Sequence, residues 1–89
     1  MARIFNIYFS YEQVTHSAIV SVRETPLFTE YKLNNLNDTL LQLLPGDKII
    51  RKSGQKNIFF QNSPQQNTSI LMDEIIGAVQ QHLTGVVVN

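Results

Sequence analysis

Cysteine is absent from this sequence of 89 residues. Its absence excludes disulfide bonds, thiolate metal ligands and a cysteine nucleophile. Charged residues are also scarce, at 16% of the chain against about 25% in typical proteins. Seven basic and seven acidic residues leave no net charge. That balance argues against a long polyanion as the main partner, because proteins that bind one usually carry a basic excess.

Long apolar runs are missing too. No stretch approaches the roughly 18 consecutive apolar residues of a membrane helix, and a strand-like pattern begins at Arg3 instead of an apolar leader. We therefore expect a cytoplasmic protein without a membrane partner. The chain does contain 43% hydrophobic residues, too many for a disordered protein. Its length predicts one compact domain over residues 1–89.

Alternating apolar and polar residues predict three strands in the first part of the chain. Arg3–Tyr11 and Val14–Glu24 are rich in β-branched and aromatic residues, and only Glu12 and Gln13 separate them. This spacing predicts an antiparallel hairpin. A third alternating run, Leu27–Leu33, follows Pro26.

Helical spacing occurs in two later segments. A short helix is predicted between asparagine caps and Pro45-Gly46, with Leu36, Leu40, Leu43 and Leu44 on one face. A second helix is predicted over Ser69–Leu83, and its broad apolar stripe contains Leu71, Ile75, Ala78 and Val79.

The remaining segments are a predicted hairpin and two connections without regular periodicity. Asp47–Phe60 predicts two strands with a turn at Ser53-Gly54. A polar loop follows, up to the cap of the second helix at about residue 68. The ending Val86–Asn89 fits either a tail or a short added strand.

These elements predict an α+β fold with the order β-β-β-α-β-β-α. The simplest arrangement is a single antiparallel sheet of about five strands with both helices packed on one face, which makes two layers. The alternative places one helix on each face of the sheet.

An open sheet face is the main functional expectation from this fold. Several strands carry apolar residues on both sides, and adjacent residues of a strand point to opposite faces. If both helices cover one face, apolar side chains remain on the other, and such patches mark interfaces. We therefore predict a homodimer, or a complex with another protein, formed by residues drawn from Ile4, Tyr8, Ile49, Phe59 and Phe60.

A basic hairpin is the second feature. Four of the seven basic residues lie within residues 48–56, and short turns would place Arg51 or Lys52 opposite Lys56. An anion such as nucleic acid would relieve that repulsion. Lysines on an edge hairpin also simply prevent unwanted strand pairing, and we favour this second interpretation for Lys48, Arg51, Lys52 and Lys56.

No catalytic constellation is evident. His16 and His82 lack ligands at metal-binding spacing, and consecutive Asp73 and Glu74 diverge on a helix. We expect no cofactor and no metal. Three functions remain, in decreasing order of preference: a non-catalytic interaction module, a nucleic-acid-binding accessory protein, and an enzyme or small-ligand binder.

Overall fold

The computed structural model describes residues 3–62 and 69–84. Its elements follow the predicted order: β1 (Arg3–Tyr11), β2 (Val14–Glu24), β3 (Phe28–Asn34), α1 (Asp38–Leu43), β4 (Lys48–Lys52), β5 (Phe59–Phe60) and α2 (Ser69–Thr84). Residues 63–68 of the predicted polar loop and the ending Val86–Asn89 lie outside the described residues.

The strands form one antiparallel meander in the order β1-β2-β3-β4-β5. Each strand pairs with the strand next to it in sequence. The first hairpin closes through Glu12 and Gln13, whose φ angles are 50° and 65°. Two successive positive φ values are those of a type I′ turn, whose twist matches the right-handed twist of the strands it joins.

The core lies between one face of the sheet and both helices. Alternate residues of every strand belong to a single buried cluster, together with Leu40 of α1 and Leu71, Ile75 and Val79 of α2. The two-layer α+β arrangement is therefore confirmed, and the alternative with one helix on each face is excluded. The strand contribution to this cluster is Ile7, Phe9, Ala18, Val20, Val22, Tyr31, Leu33, Ile49 and Phe60.

The connection between β4 and β5 differs from the prediction. Ile49 pairs with Phe60 and Ile50 with Phe59, so neither Arg51 nor Lys52 lies opposite Lys56. The turn at Ser53-Gly54 is present, with the Gln55 amide donating to the Lys52 carbonyl at 3.1 Å. The chain then continues to Ile58, which is buried in the core. Burying Ile58 and Phe60 on the same side sets the register, because alternate residues share a face.

Candidate functional site

The sheet face away from the helices presents residues in rows that cross the strands. One row contains Ile4, Ser21, Lys32 and Lys48, which are successive partners in the ladder. The next row contains Arg23, Glu30, Ile50 and Phe59. We call this surface the open face. Its central rows combine charged and apolar side chains instead of presenting a continuous apolar surface.

The structure divides the predicted interface residues between two environments. Ile4 and Tyr8 are 68% and 67% exposed, and Phe59 is 36% exposed. Ile49 and Phe60 are core residues with almost no exposure, so their assignment to an exposed patch is corrected. Ile49 is adjacent in sequence to Ile50, and Phe60 is adjacent to Phe59. Adjacent residues of a strand point to opposite faces of the sheet, so Ile49 and Phe60 face the helices.

The exposed apolar side chains are also far apart. Ile4 and Tyr8 lie on β1 at one edge of the sheet, and Phe59 lies on β5 at the other. Between them the open face carries Ser21, Lys32 and other polar groups, together with three apolar side chains that are already half-buried: Ile19, Phe28 and Ile50. The predicted continuous apolar patch is therefore replaced by two small patches at opposite edges.

The structure separates Lys48 from the other three basic residues of the predicted hairpin: Arg51, Lys52 and Lys56 line one cavity near the turn, and Lys48 lines a different groove. Lys48 and Lys52 lie on the open face, because they pair with Lys32 and Phe28 of β3. Arg51 pairs with Thr29 on the helix side of the sheet, and Lys56 follows the turn. Lys48 and Lys52 instead share a surface with Lys32 of β3, which the sequence did not single out.

Glu30 is a buried carboxylate at the centre of this open face. Its side chain is only 11% exposed, and its Oε2 accepts a hydrogen bond from Arg23 Nη2 at 2.7 Å. The arginine itself is 67% exposed. Sequence reasoning missed this pair. The available signal was the register of the β2–β3 hairpin, which places Arg23 directly opposite Glu30.

A groove of about 700 Å³ runs along the central rows of the open face. Ser21, Arg23, Glu30, Lys32 and Lys48 contribute to its lining. Lys32 and Lys48 are direct cross-strand partners, and like charges in that position repel each other. Neither lysine has an ion-pair partner among the described residues. Elsewhere on the open face, Lys52 Nζ lies 5.9 Å from the centroid of the Phe59 ring.

The two edges of the sheet are unequal. β5 exposes an edge of only two residues, a length that offers little to an incoming strand. β1 is nine residues long, and no described segment pairs with its outer side. The hydrogen-bonding groups on that side therefore have no strand partner among residues 3–62 and 69–84.

The histidines take part in packing. The His82 ring stacks on Phe5 with a centroid distance of 3.8 Å, and His16 lies 5.7 Å from Phe9. Asp73 and Glu74 are exposed on α2. Among residues 3–62 and 69–84, no group of three or more histidine or carboxylate side chains could hold a metal ion. No helix in the same part of the chain is long and apolar enough to cross a membrane.

Comparison of the chain with protein-family models, with curated proteins and with solved structures finds no match.

Proposed function

We propose that this chain is a small, non-catalytic interaction module, two copies of which join through the outer edges of their β1 strands. The observation that carries the proposal is the long open edge of β1. Joining two such edges antiparallel extends the five-stranded sheet of each copy into one continuous sheet, and every new backbone hydrogen bond satisfies a group that otherwise faces water.

The composition of β1 supports this use of the edge. Proteins usually guard a long edge strand with proline, a bulge or charged side chains. β1 contains neither proline nor glycine, and its ladder with β2 is continuous from Arg3 to Tyr11. Arg3 is its single charged residue, and it forms an ion pair with Glu24 at 2.9 Å. Little in this strand therefore repels a second copy.

A two-fold axis beside Asn6 gives a register with good side-chain contacts. In that register Ile4 of one copy lies opposite Tyr8 of the other, and the reverse contact forms on the opposite side of the axis. These are the two most exposed apolar side chains of the strand. Aromatic and β-branched residues are favourable cross-strand partners, and pairing them removes both from water.

Charge disfavours the other way of joining two copies. The open face carries Arg23, Lys32, Lys48 and Lys52 but only one acidic residue, Glu30, which leaves a net charge of +3. Packing two open faces together would bring these like charges into contact, which costs several kcal/mol at an interface. Pairing at the β1 edge keeps the two basic surfaces side by side and in water.

The test is the solution mass of a Tyr8→Lys variant. Tyr8 is exposed, so the substitution should leave the fold intact while it places a charge on the pairing edge. We expect light scattering to show a dimer for the parent chain, in low and high salt, and a monomer for Tyr8→Lys. Leu27→Lys is the matched control, because Leu27 is 77% exposed and lies away from β1.

A parent chain that is monomeric at all concentrations would refute the proposal, as would a Tyr8→Lys variant that remains dimeric. The third predicted class, an enzyme or small-ligand binder, stays a prediction.

A further inference from the structure

We infer that the open face binds a single-stranded nucleic acid, with phosphate groups at Lys32 and Lys48 and a base stacked on Phe59. This inference concerns a surface within one chain and does not depend on dimerisation through β1. It rests on the distribution of charge, on the unpaired lysines and on the position of an exposed aromatic ring.

The neutral chain is strongly polarised. The net charge of +3 on the open face is balanced elsewhere, chiefly by three carboxylates on the helices: Asp38 on α1, and Asp73 and Glu74 on α2. The net charge of zero is therefore the sum of a basic sheet surface and an acidic helix layer on opposite sides of the molecule. A polyanion is attracted to the first and repelled by the second.

Lys32 and Lys48 provide the phosphate contacts. They are direct cross-strand partners and repel each other, and neither has an ion-pair partner among the described residues. A phosphate bound at each lysine would offset that repulsion and use both charges. The two acidic residues that line the groove, Glu24 and Glu30, do not oppose this, because each already forms an ion pair, with Arg3 and Arg23 respectively. The groove of about 700 Å³ beside them leaves room for the ligand.

Phe59 makes the surface suitable for a nucleotide in particular. It pairs with Ile50, two residues beyond Lys48 on β4, so it is a diagonal neighbour of Lys48 at roughly 7–8 Å. Lys52, within reach of the same ring, adds a third positive charge. Aromatic rings beside a basic groove are the usual platform for unpaired bases. A duplex would hide the faces of its bases from Phe59, and an acidic peptide would have no use for the ring.

The experiment measures fluorescence anisotropy with a labelled oligothymidylate of about twelve nucleotides, a length within the range of one small binding domain. Two lysine contacts predict that log K falls with log salt concentration with a slope of about −1.4. We expect Lys48→Glu to weaken binding by about tenfold or more and to make the slope shallower by about 0.7. We expect Phe59→Leu to weaken binding by about tenfold through loss of stacking.

Lys56→Glu is the matched control, because it changes the charge of the chain by the same amount at a residue that lines the cavity near the turn and does not line the groove. It should bind almost as well as the parent. Lys48→Glu also replaces a pair of like charges by an opposite pair with Lys32, so its thermal stability should be at least that of the parent. A loss of binding in that variant is then a loss of the site and not of the fold.

Four results would overturn the inference. They are no binding by the parent chain, equal weakening by Lys48→Glu and Lys56→Glu, no effect of Phe59→Leu, and equal affinity for a duplex or for polyglutamate. The solution mass is measured on the same samples. A monomer that binds the oligothymidylate refutes only the dimer, and a dimer that does not bind it refutes only this inference.

Discussion

Tyr31 places a polar hydroxyl group in the hydrophobic core. Its side chain is 1% exposed, yet its hydroxyl forms no hydrogen bond with any residue that the structure describes. A buried polar group without a partner destabilises a protein, because it has lost its hydrogen bonds with water. The ring supplies core contacts, and the hydroxyl contributes nothing comparable.

Tyr31→Phe should therefore raise the free energy of unfolding, by up to about 1 kcal/mol. Urea denaturation followed by circular dichroism measures the change. Val20→Ala is the control for the sensitivity of the measurement. It removes fully buried apolar groups and should lower the free energy of unfolding by at least about 1 kcal/mol. A clear loss of stability in Tyr31→Phe would contradict the interpretation and indicate that the hydroxyl has a hydrogen-bond partner, such as a buried water.

Among the secondary-structure elements, α2 contains a glycine that lowers the stability of the helix. Gly77 lies in the middle of the helix, and a Cβ atom added there would meet nothing within 4 Å. Glycine in a helix interior costs about 1 kcal/mol relative to alanine, because the unfolded glycine has more conformational freedom to lose.

We expect Gly77→Ala to raise the free energy of unfolding by about 1 kcal/mol, measured by the same urea titration. Gly54→Ala should have the opposite effect, although Gly54 also has empty space around it. Its φ of +81° is a conformation that residues with a side chain adopt only with strain. Equal changes in the free energy of unfolding for Gly77→Ala and Gly54→Ala would show that backbone conformation controls neither change.

The elements also show where sequence reasoning succeeds. β1 and β2 have the predicted bounds because their period-two pattern is strong and uninterrupted. β3 is displaced by only one residue from the predicted Leu27–Leu33, and its alternation gives the correct faces. The helices follow from their apolar spacing, since Leu40, Leu71, Ile75 and Val79 are all buried as expected.

What the sequence does not determine is how distant elements meet. The β4–β5 register depends on the burial of Ile58, a tertiary effect that local turn signals at Ser53-Gly54 cannot express. The burial of Glu30 depends on its neighbours across three strands. The charge separation between the two layers requires knowing which residues share a face, and net charge averages it to zero.

In the whole molecule, the first strand, β1, and the last helix, α2, stabilise each other by packing together. α2 packs on β1, and its Leu71, Ile75 and Val79 are completely buried. Burial of one aliphatic side chain is worth roughly 1.5–3 kcal/mol. Three such side chains therefore contribute an amount comparable to the entire stability of a small domain, about 5–15 kcal/mol.

A chain that ends at Asn62 should consequently lose cooperative folding. We expect no sigmoidal thermal transition in circular dichroism and increased binding of a hydrophobic dye. A milder variant, Ile75→Ala, should remain folded but lose about 2–5 kcal/mol. If the shortened chain unfolded cooperatively with near-parental stability, the sheet would be self-sufficient and α2 an accessory.

The unequal edges of the sheet also limit how far the proposed assembly could proceed. In the proposed dimer the long β1 edges of the two copies pair with each other, and among the described strands only the two-residue edge of β5 is then left unpaired. Each copy of such a dimer is in this sense monovalent. Extending the ladder at β5 by several residues would make it divalent, and the proposed backbone pairing would then continue into fibres.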